Sequence, residues 1–312
     1  MTNRTTAIYI TADLIVYSIA TAILVKIFHE PIKDILTVFF SLGIVFSLIA
    51  WYLTKKSYSR RNAKPALPRE AVLITVLIAW IVLYISFGSG FIDGLIPKGV
   101  LQDKRLYAFL ILIRKLLVFV IVPFLAYRLA GLSLKDFGLR VKPKEIFTLK
   151  NAVLFITLSI LITAFQYYLS NGGKIFRQGS FSVIELMAGV PLLLIWLFIE
   201  AGLVEEFFFR GLLQARLAVL LKSPAGGIVI GGLIFGLAHA PGLFLRGAAS
   251  EGIDEQLPFH FFAAYTIVYM SIAGIFLGIV YNKTKNLWLV MALHAMVDLI
   301  PNFPDFVHTW NL

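Results

Sequence analysis

Residues 71–87 read AVLITVLIAWIVLYISF, an apolar run without a charged side chain. Its length approaches the roughly 20 residues that an α-helix needs to cross the hydrocarbon core of a bilayer. Eight further segments have a similar character, so we expect a polytopic membrane protein with eight or nine spanning helices. The nine candidate segments, in chain order, are 7–28, 32–53, 71–87, 106–127, 151–169, 192–221, 225–240, 261–281 and 287–300.

Two places in this pattern leave the helix count open. Arg114 and Lys115 lie well inside the fourth segment, which favours an interfacial position for its first half. Residues 181–189 precede Pro191 and are expected to form a separate surface helix.

Composition leads to the same fold class. Apolar and aromatic residues make up 59% of the 312 residues and charged residues 14%, whereas about a quarter of an ordinary soluble domain is charged. One aqueous core cannot bury that much apolar surface, so we expect an all-α membrane helical bundle that forms a single integral membrane domain over residues 1–312. The absence of cysteine from the sequence excludes disulfides, thiolate zinc sites and cysteine nucleophiles.

The net charge of +11 is carried mostly by basic residues between the apolar segments, where they are typical of topology signals rather than of nucleic-acid contacts. The loops after the second and the fourth segment are both basic. Two spans separate them, so both are predicted to be cytoplasmic, together with the N-terminus. The acidic loop with Glu251, Asp254 and Glu255 then falls outside. We expect an integral protein of the plasma (inner) membrane.

The sixth segment contains the sequence Glu200-Ala-Gly-Leu-Val-Glu205-Glu206-Phe-Phe-Phe-Arg210. Ionisable residues inside a spanning helix are costly, so each is a candidate functional residue. Glu206 and Arg210 are four residues apart and can neutralise one another on one helix face. Glu205 points about 100° away and has no cation at helical spacing. Glu200 likewise has no partner at that spacing and is predicted to be a bystander.

Two later segments carry histidines. His239 ends a stretch with two small-xxx-small steps, Gly227/Gly231 and Gly232/Gly236, which permit close packing of helices in lipid. In the last segment His294 and Asp298 are four residues apart and share a face. Each histidine alone is more typical of a hydrogen bond that joins two helices.

The depths of these residues in the membrane favour a shared site. Counted from the turn at 222–224, Glu205 lies 17 residues before Lys222 and His239 lies 15 residues after Pro224, which corresponds to roughly 22–26 Å along each helix. His294 and Asp298 are roughly 12–18 Å from their own turn at 282–286, a difference that helix tilt can close. One buried cluster of all four residues is therefore feasible.

Three motifs, taken in their order along the chain, resemble those of the CPBP family. This family comprises CAAX proteases and bacteriocin-processing enzymes and is also called the abortive-infection family. The matching motifs are Glu205-Glu206-x-x-x-Arg210, Phe235-x-x-x-His239 and His294-x-x-x-Asp298, with a further similar stretch at 278–288. The resemblance covers residues 185–300, the expected catalytic core, and leaves residues 1–180 as N-terminal helices.

The resemblance implies a CAAX-protease-like intramembrane endopeptidase of the glutamate type. Glu205 and His239 would activate a water molecule, and His294 and Asp298 would bind the oxyanion. Supporting roles fall to Glu206, Arg210 and Phe235. The implied partners are membrane lipid and a membrane-associated, prenylated or secreted peptide or protein.

Asp298 departs from the family, which frequently has asparagine there. An ionised aspartate cannot donate a hydrogen bond to an oxyanion, so either Asp298 is protonated or it orients His294 as the donor. A third possibility is a divalent metal such as zinc held by Glu205, His239, His294 and Asp298. No His-Glu-x-x-His sequence occurs, which excludes a conventional zincin. We therefore expect no metal cofactor, with zinc as the alternative.

Two other classes of function remain open. An ion- or proton-coupled transporter would use the same charges as a path, although it would favour charges at several depths and a repeat between the two halves. A non-catalytic immunity or scaffold protein could retain an inherited site.

Overall fold

The computed structural model describes residues 3–54, 70–131, 143–248, 253 and 256–312. Within these ranges nine helices are long and apolar enough to cross a membrane, which confirms the predicted all-α polytopic bundle. The only β pairing in the described part is an isolated bridge between Ala248 and Ile253. The nine helices are α1 (Thr5–Ile27), α2 (Ile32–Leu53), α3 (Glu70–Gly94), α4 (Lys104–Leu129), α5 (Leu149–Leu169), α6 (Val183–Leu220), α7 (Pro224–Leu245), α8 (Phe259–Thr284) and α9 (Leu287–Trp310).

Three short helices, Lys98–Gln102, Pro143–Ile146 and Asn171–Gln178, lie between spanning ones. The loop residues 55–69, most of the basic loop after α4 and the acidic residues Glu251, Asp254 and Glu255 fall outside the described residues. The orientation in the membrane therefore stays a prediction.

The expected surface helix over 181–189 is wrong, because α6 runs without a break from Val183 to Leu220. It begins at a capping box, in which Ser182 and Glu185 satisfy each other's backbone N–H groups. Pro191 lies inside the helix. The lost hydrogen bond is tolerated there because neighbouring helices and local changes of winding can satisfy the freed carbonyl in a membrane.

The fourth spanning helix is also continuous, from Lys104 to Leu129. The helix continues through Arg114 and Lys115, and both of these cations pair with carboxylates of other helices. Arg114 pairs with Asp93 of α3 at 2.6 Å, and Lys115 pairs with Glu200 of α6. Paired charges cost far less inside a bundle than isolated ones.

Close packing of α7 and α8 follows the predicted glycine steps. A Cβ atom added at Gly232 would fall 2.6 Å from Ile275 of α8, and one at Gly236 would fall 2.6 Å from the carbonyl oxygen of Thr266. The other step faces α6, where a Cβ at Gly227 would meet Ala218 at 2.7 Å. Both steps bring backbones together, as small residues do in lipid.

Polar side chains of α6 fix its position against α8. Nη2 of Arg210 donates to the carbonyl oxygen of Gly274 at 3.2 Å, and Nε2 of Gln214 donates to that of Gly278 at 2.9 Å. Both donors and both acceptors are four residues apart, so the two bonds form successive steps along the helix pair. Near its end α6 is also joined to the start of α3, where Nε of Arg216 donates to buried Glu70 at 2.8 Å.

Candidate active site

Glu205 and Glu206 lie in α6 between two segments in which the helix widens to π winding, Phe198–Leu203 and Phe207–Gln214. Such segments are frequent at functional sites. The side chain of Glu206 is completely buried, whereas 13% of the Glu205 side chain is exposed. The two adjacent carboxylates therefore face different surroundings.

The carboxylate of Glu206 is the buried centre of a three-residue contact. Its Oε1 accepts a hydrogen bond from Nη1 of Arg210 at 2.7 Å, which confirms the predicted pair. The same oxygen lies 2.5 Å from Nδ1 of His294, a contact that the sequence did not predict. A carboxylate that already faces a guanidinium acts as an acceptor, so Nδ1 of His294 carries the proton in this contact. Its other ring nitrogen, Nε2, faces away from Glu206.

Phe235 packs against Arg210 and both histidines. The guanidinium carbon of Arg210 lies 4.2 Å from the centre of the Phe235 ring, a cation–π geometry. That ring is 4.8 Å from the ring of His239 and 5.9 Å from the ring of His294. A Cβ at Gly274 would fall 3.0 Å from the same ring. Phe235 is thus confined on several sides and supports both imidazoles.

His239 is oriented by its own helix. Its Nδ1 lies 2.7 Å from the carbonyl oxygen of Phe235, four residues earlier. Because a carbonyl oxygen only accepts, Nδ1 carries a hydrogen and Nε2 of the neutral ring carries the lone pair. Nε2 lies 3.5 Å from Oε2 of Glu205. The adjacency of Glu205 and His239 expected from their depths is therefore present.

The second histidine approaches the same oxygen from α9. Nε2 of His294 lies 3.9 Å from Oε2 of Glu205 and 3.3 Å from Oδ2 of Asp298. Helices α6, α7 and α9 thus bring Glu205, His239, His294 and Asp298 into one cluster. Oε2 of Glu205 is buried and accepts no direct hydrogen bond from the residues described.

The approach of α6 to α9 depends on one small residue. A Cβ at Gly202 would fall 2.6 Å from the carbonyl oxygen of Met291. Helices α6 and α9 run in opposite directions, so Glu205 and His294, each three residues after these positions, lie within about one turn of this contact on either side. The missing side chain at Gly202 therefore allows the carboxylate and the imidazole to meet.

Comparison with protein families gives one match for this part of the chain. Residues 187–300 match the family described as Rce1-like, type II CAAX prenyl endopeptidase. We refer to residues 187–300 as the Rce1-like region. It contains all four clustered residues, and it confirms the resemblance to the CPBP family of CAAX proteases. At the level of the family, the match supports a CAAX-protease-like intramembrane endopeptidase. No match was found among curated proteins or among solved structures.

Beside the cluster lies a cavity of about 150 Å³ whose wall is shared between the Rce1-like region and helices outside it. Glu205 and His239 line it, whereas His294 and Asp298 do not. From outside the Rce1-like region come side chains of α3 and α4. These are Tyr84, Ile85, Ile111, Arg114, Lys115 and Phe119.

Glu200 has no partner on its own helix, as expected, but it has one on another helix. Glu200 pairs with Lys115, whose Nζ also lies 3.8 Å from Oε1 of Glu205. Lys115 is the functional candidate that the sequence reasoning missed. Its position in mid-span was a signal, since a lysine inside a spanning helix commonly pairs with a carboxylate or with backbone carbonyls. The partner helix could not be identified because the order of helices in space is not written in the chain.

The four clustered residues carry nitrogen and oxygen donors that suit zinc. Both histidines have Nδ1 fixed by an acceptor and Nε2 directed at Glu205, as metal-bound histidines commonly do. In the described part of the chain, however, no group of three or more such residues has the spacing that would hold a metal ion.

Proposed function

We propose that this protein is an intramembrane endopeptidase that hydrolyses a peptide bond of a membrane-associated, prenylated or secreted-peptide substrate. The observation that carries the proposal is the position of Oε2 of Glu205, which is buried and faces Nε2 of His239 at 3.5 Å and Nε2 of His294 at 3.9 Å. Both separations are longer than an ordinary direct hydrogen bond, and we place the reacting water molecule beside Oε2. The match of residues 187–300 to an endopeptidase family supports the same activity.

In the proposed reaction Glu205 is the general base. Its Oε2 takes a proton from the water, and the hydroxide oxygen attacks the carbonyl carbon of the scissile bond. The negative charge moves to the carbonyl oxygen. A carboxylate in a buried site is suited to this step because little solvent competes for it.

His239 transfers the proton onward. Since its Nδ1–H is engaged with the carbonyl of Phe235, its Nε2 lone pair is the one that faces Glu205. Nε2 receives the proton from Glu205 and gives it to the leaving nitrogen as the carbon–nitrogen bond breaks. The water is thereby divided between the new carboxyl group and the new amine.

His294 stabilises the oxyanion, with Asp298 behind it. With a proton on Nε2, His294 would donate both to Oδ2 of Asp298, at 3.3 Å, and to the oxyanion. Asp298 then acts as an acceptor, which agrees with an ionised aspartate. Glu206 holds the opposite nitrogen of the ring at 2.5 Å and so fixes the direction of the donor.

A metal-dependent hydrolase is the second candidate. The observation in its favour is that both imidazoles have the fixed Nδ1 typical of zinc ligands. In that case Glu205, His239, His294 and Asp298 would hold the ion, which would supply a Lewis acid for the carbonyl. Metal analysis of the purified protein separates the two candidates.

The test is cleavage in liposomes by wild type, Glu205→Gln and Asp305→Asn. The last removes an exposed carboxylate of α9 and is the matched control. Substrates are a farnesylated peptide that ends in Cys-aliphatic-aliphatic-X and the same peptide without the farnesyl group. We expect cleavage by wild type and Asp305→Asn, and loss of about 10²-fold or more in Glu205→Gln. Equal activity of wild type and Glu205→Gln would contradict the assigned base.

A further inference from the structure

Lys115 of α4 is a charged contact to Glu205 from outside the Rce1-like region. It approaches Oε1 of Glu205 at 3.8 Å, while the two histidines face the other oxygen, Oε2. The two carboxylate oxygens therefore have separate surroundings. One oxygen faces a cation, and the other faces Nε2 of His239, proposed to transfer the proton, and Nε2 of His294, proposed to stabilise the oxyanion.

The winding of α6 explains how one lysine meets two carboxylates. Glu200 and Glu205 are five residues apart, which would place them about 140° apart on an ordinary α-helix. In π winding the hydrogen bonds join residues i and i+5 and each turn holds more residues than in an α-helix, so positions five apart lie closer to one face. Glu200 lies inside the π segment Phe198–Leu203, Glu205 lies just after it, and both carboxylates face Lys115.

We infer that Lys115 is a positioning residue for the proposed hydrolysis: its ammonium, anchored by Glu200, holds Oε1 of Glu205 so that Oε2 is directed at His239 and His294. The inference rests on the proposed function of Glu205. Lys115 also lines the cavity beside Glu205, so its side chain acts where the carboxylate meets the substrate space.

A merely structural role for Lys115 makes a different prediction. If its task were only to neutralise Glu200, then replacing both partners by neutral residues would remove the charge imbalance and restore activity. If its task is to hold Glu205, the double variant remains impaired, because Oε1 has lost its cation whether or not Glu200 is neutral.

The experiment compares wild type with Lys115→Gln, Lys115→Arg and the double variant Lys115→Gln/Glu200→Gln. Lys104→Gln, at an exposed position of α4, is the control. We expect kcat to fall on the order of 10- to 100-fold in Lys115→Gln, with a much smaller change in KM, because displacement of a catalytic group acts mainly on the chemical step. Lys115→Arg should recover most of kcat, and the double variant should stay low while it melts near wild type.

Restoration of kcat in the double variant would overturn the inference, as would wild-type kcat in Lys115→Gln. If Lys115→Gln alone does not fold, the double variant and Lys115→Arg still decide between the two roles. Glu205→Gln is measured beside them. Wild-type activity in that variant overturns the proposed function and the inference together, whereas loss there with full activity in Lys115→Gln overturns the inference alone.

Discussion

Nδ1 of His294 lies 2.5 Å from Oε1 of Glu206, the oxygen that also accepts a hydrogen bond from Arg210. Helices α6 and α9 are thus joined through one buried atom. Because the contact uses Nδ1, it directs Nε2 of His294 toward Glu205 and Asp298. Glu206 therefore joins the two helices and also orients the imidazole of His294.

Glu206→Gln and Arg210→Ala should therefore destabilise the protein, each by about 3–5 kcal/mol, because each leaves a buried charge without its partner. Glu205→Gln should cost little, since Glu205 contacts its neighbours at longer distances and is partly exposed. Unfolding in detergent, followed by heat or denaturant, measures the difference. Equal loss of stability in the Glu205 and Glu206 variants would contradict this division of roles.

Gly202→Ala should lower both stability and activity. The added Cβ would fall 2.6 Å from the carbonyl oxygen of Met291, and backbone atoms cannot rotate away. Overpacking of this kind costs about 1–3 kcal/mol, and it would move Glu205 away from His294. Gly90→Ala is the control, because a Cβ there meets no atom within 4 Å. Similar melting temperatures and rates for the two variants would show that α6 and α9 are less closely packed.

Asp298→Asn separates the two proposed hydrolases. In the metal-free mechanism the variant should keep much of its activity, because an amide N–H can donate to the oxyanion directly. In the metal-dependent case an amide is a far poorer ligand, so bound metal and activity should fall together. Asp305→Asn serves as the control on the same helix. Stoichiometric zinc in wild type that disappears in Asp298→Asn would decide for the metal.

Lys285 gives a pH dependence that is independent of catalysis. It lies in the turn between α8 and α9, and burial lowers the pKa of its ammonium to about 8. The pKa of a lysine in an unfolded chain is about 10.4. Between these values the unfolded state binds more protons, so the stability of the native state rises with pH, by at most about 3 kcal/mol.

The measurement compares melting temperatures of wild type and Lys285→Gln from pH 8 to pH 10. The difference should shift in favour of wild type as the pH rises, because only wild type loses this proton. Parallel curves for the two proteins would mean that the ammonium is well solvated in the native state.

Regular α-helical geometry was sufficient to predict some of these contacts and insufficient for others. The pairs Glu206–Arg210 and His294–Asp298 follow the four-residue repeat, and the depth of His239 followed from the turn at 222–224. The position of Glu200 does not follow the four-residue repeat. It lies in the π segment Phe198–Leu203, where the number of residues per turn differs from that of an α-helix.

The sequence also does not predict which distant helices contact one another. Arg114 and Lys115 were recognised as unusual, but their partners, Asp93 and Glu200, belong to α3 and α6. The arrangement of the nine apolar helices found in the described residues is set by packing in lipid rather than by any local pattern. The continuous α6 through Pro191 has the same cause, because neighbours in the bundle tolerate a break that would end a helix in water.

The cavity beside Glu205 has consequences for how such proteins diversify. Its reactive side belongs to residues 187–300, while Tyr84, Ile85 and the α4 side chains close it from elsewhere in the chain. In the proposed hydrolysis, the reacting groups and the side chains that select the substrate are thus encoded in separate stretches. A chimera that kept the C-terminal stretch and exchanged the N-terminal helices would keep the proposed reacting groups and change the rest of the cavity wall, so new substrates could be acquired without any change to the residues proposed to cleave them.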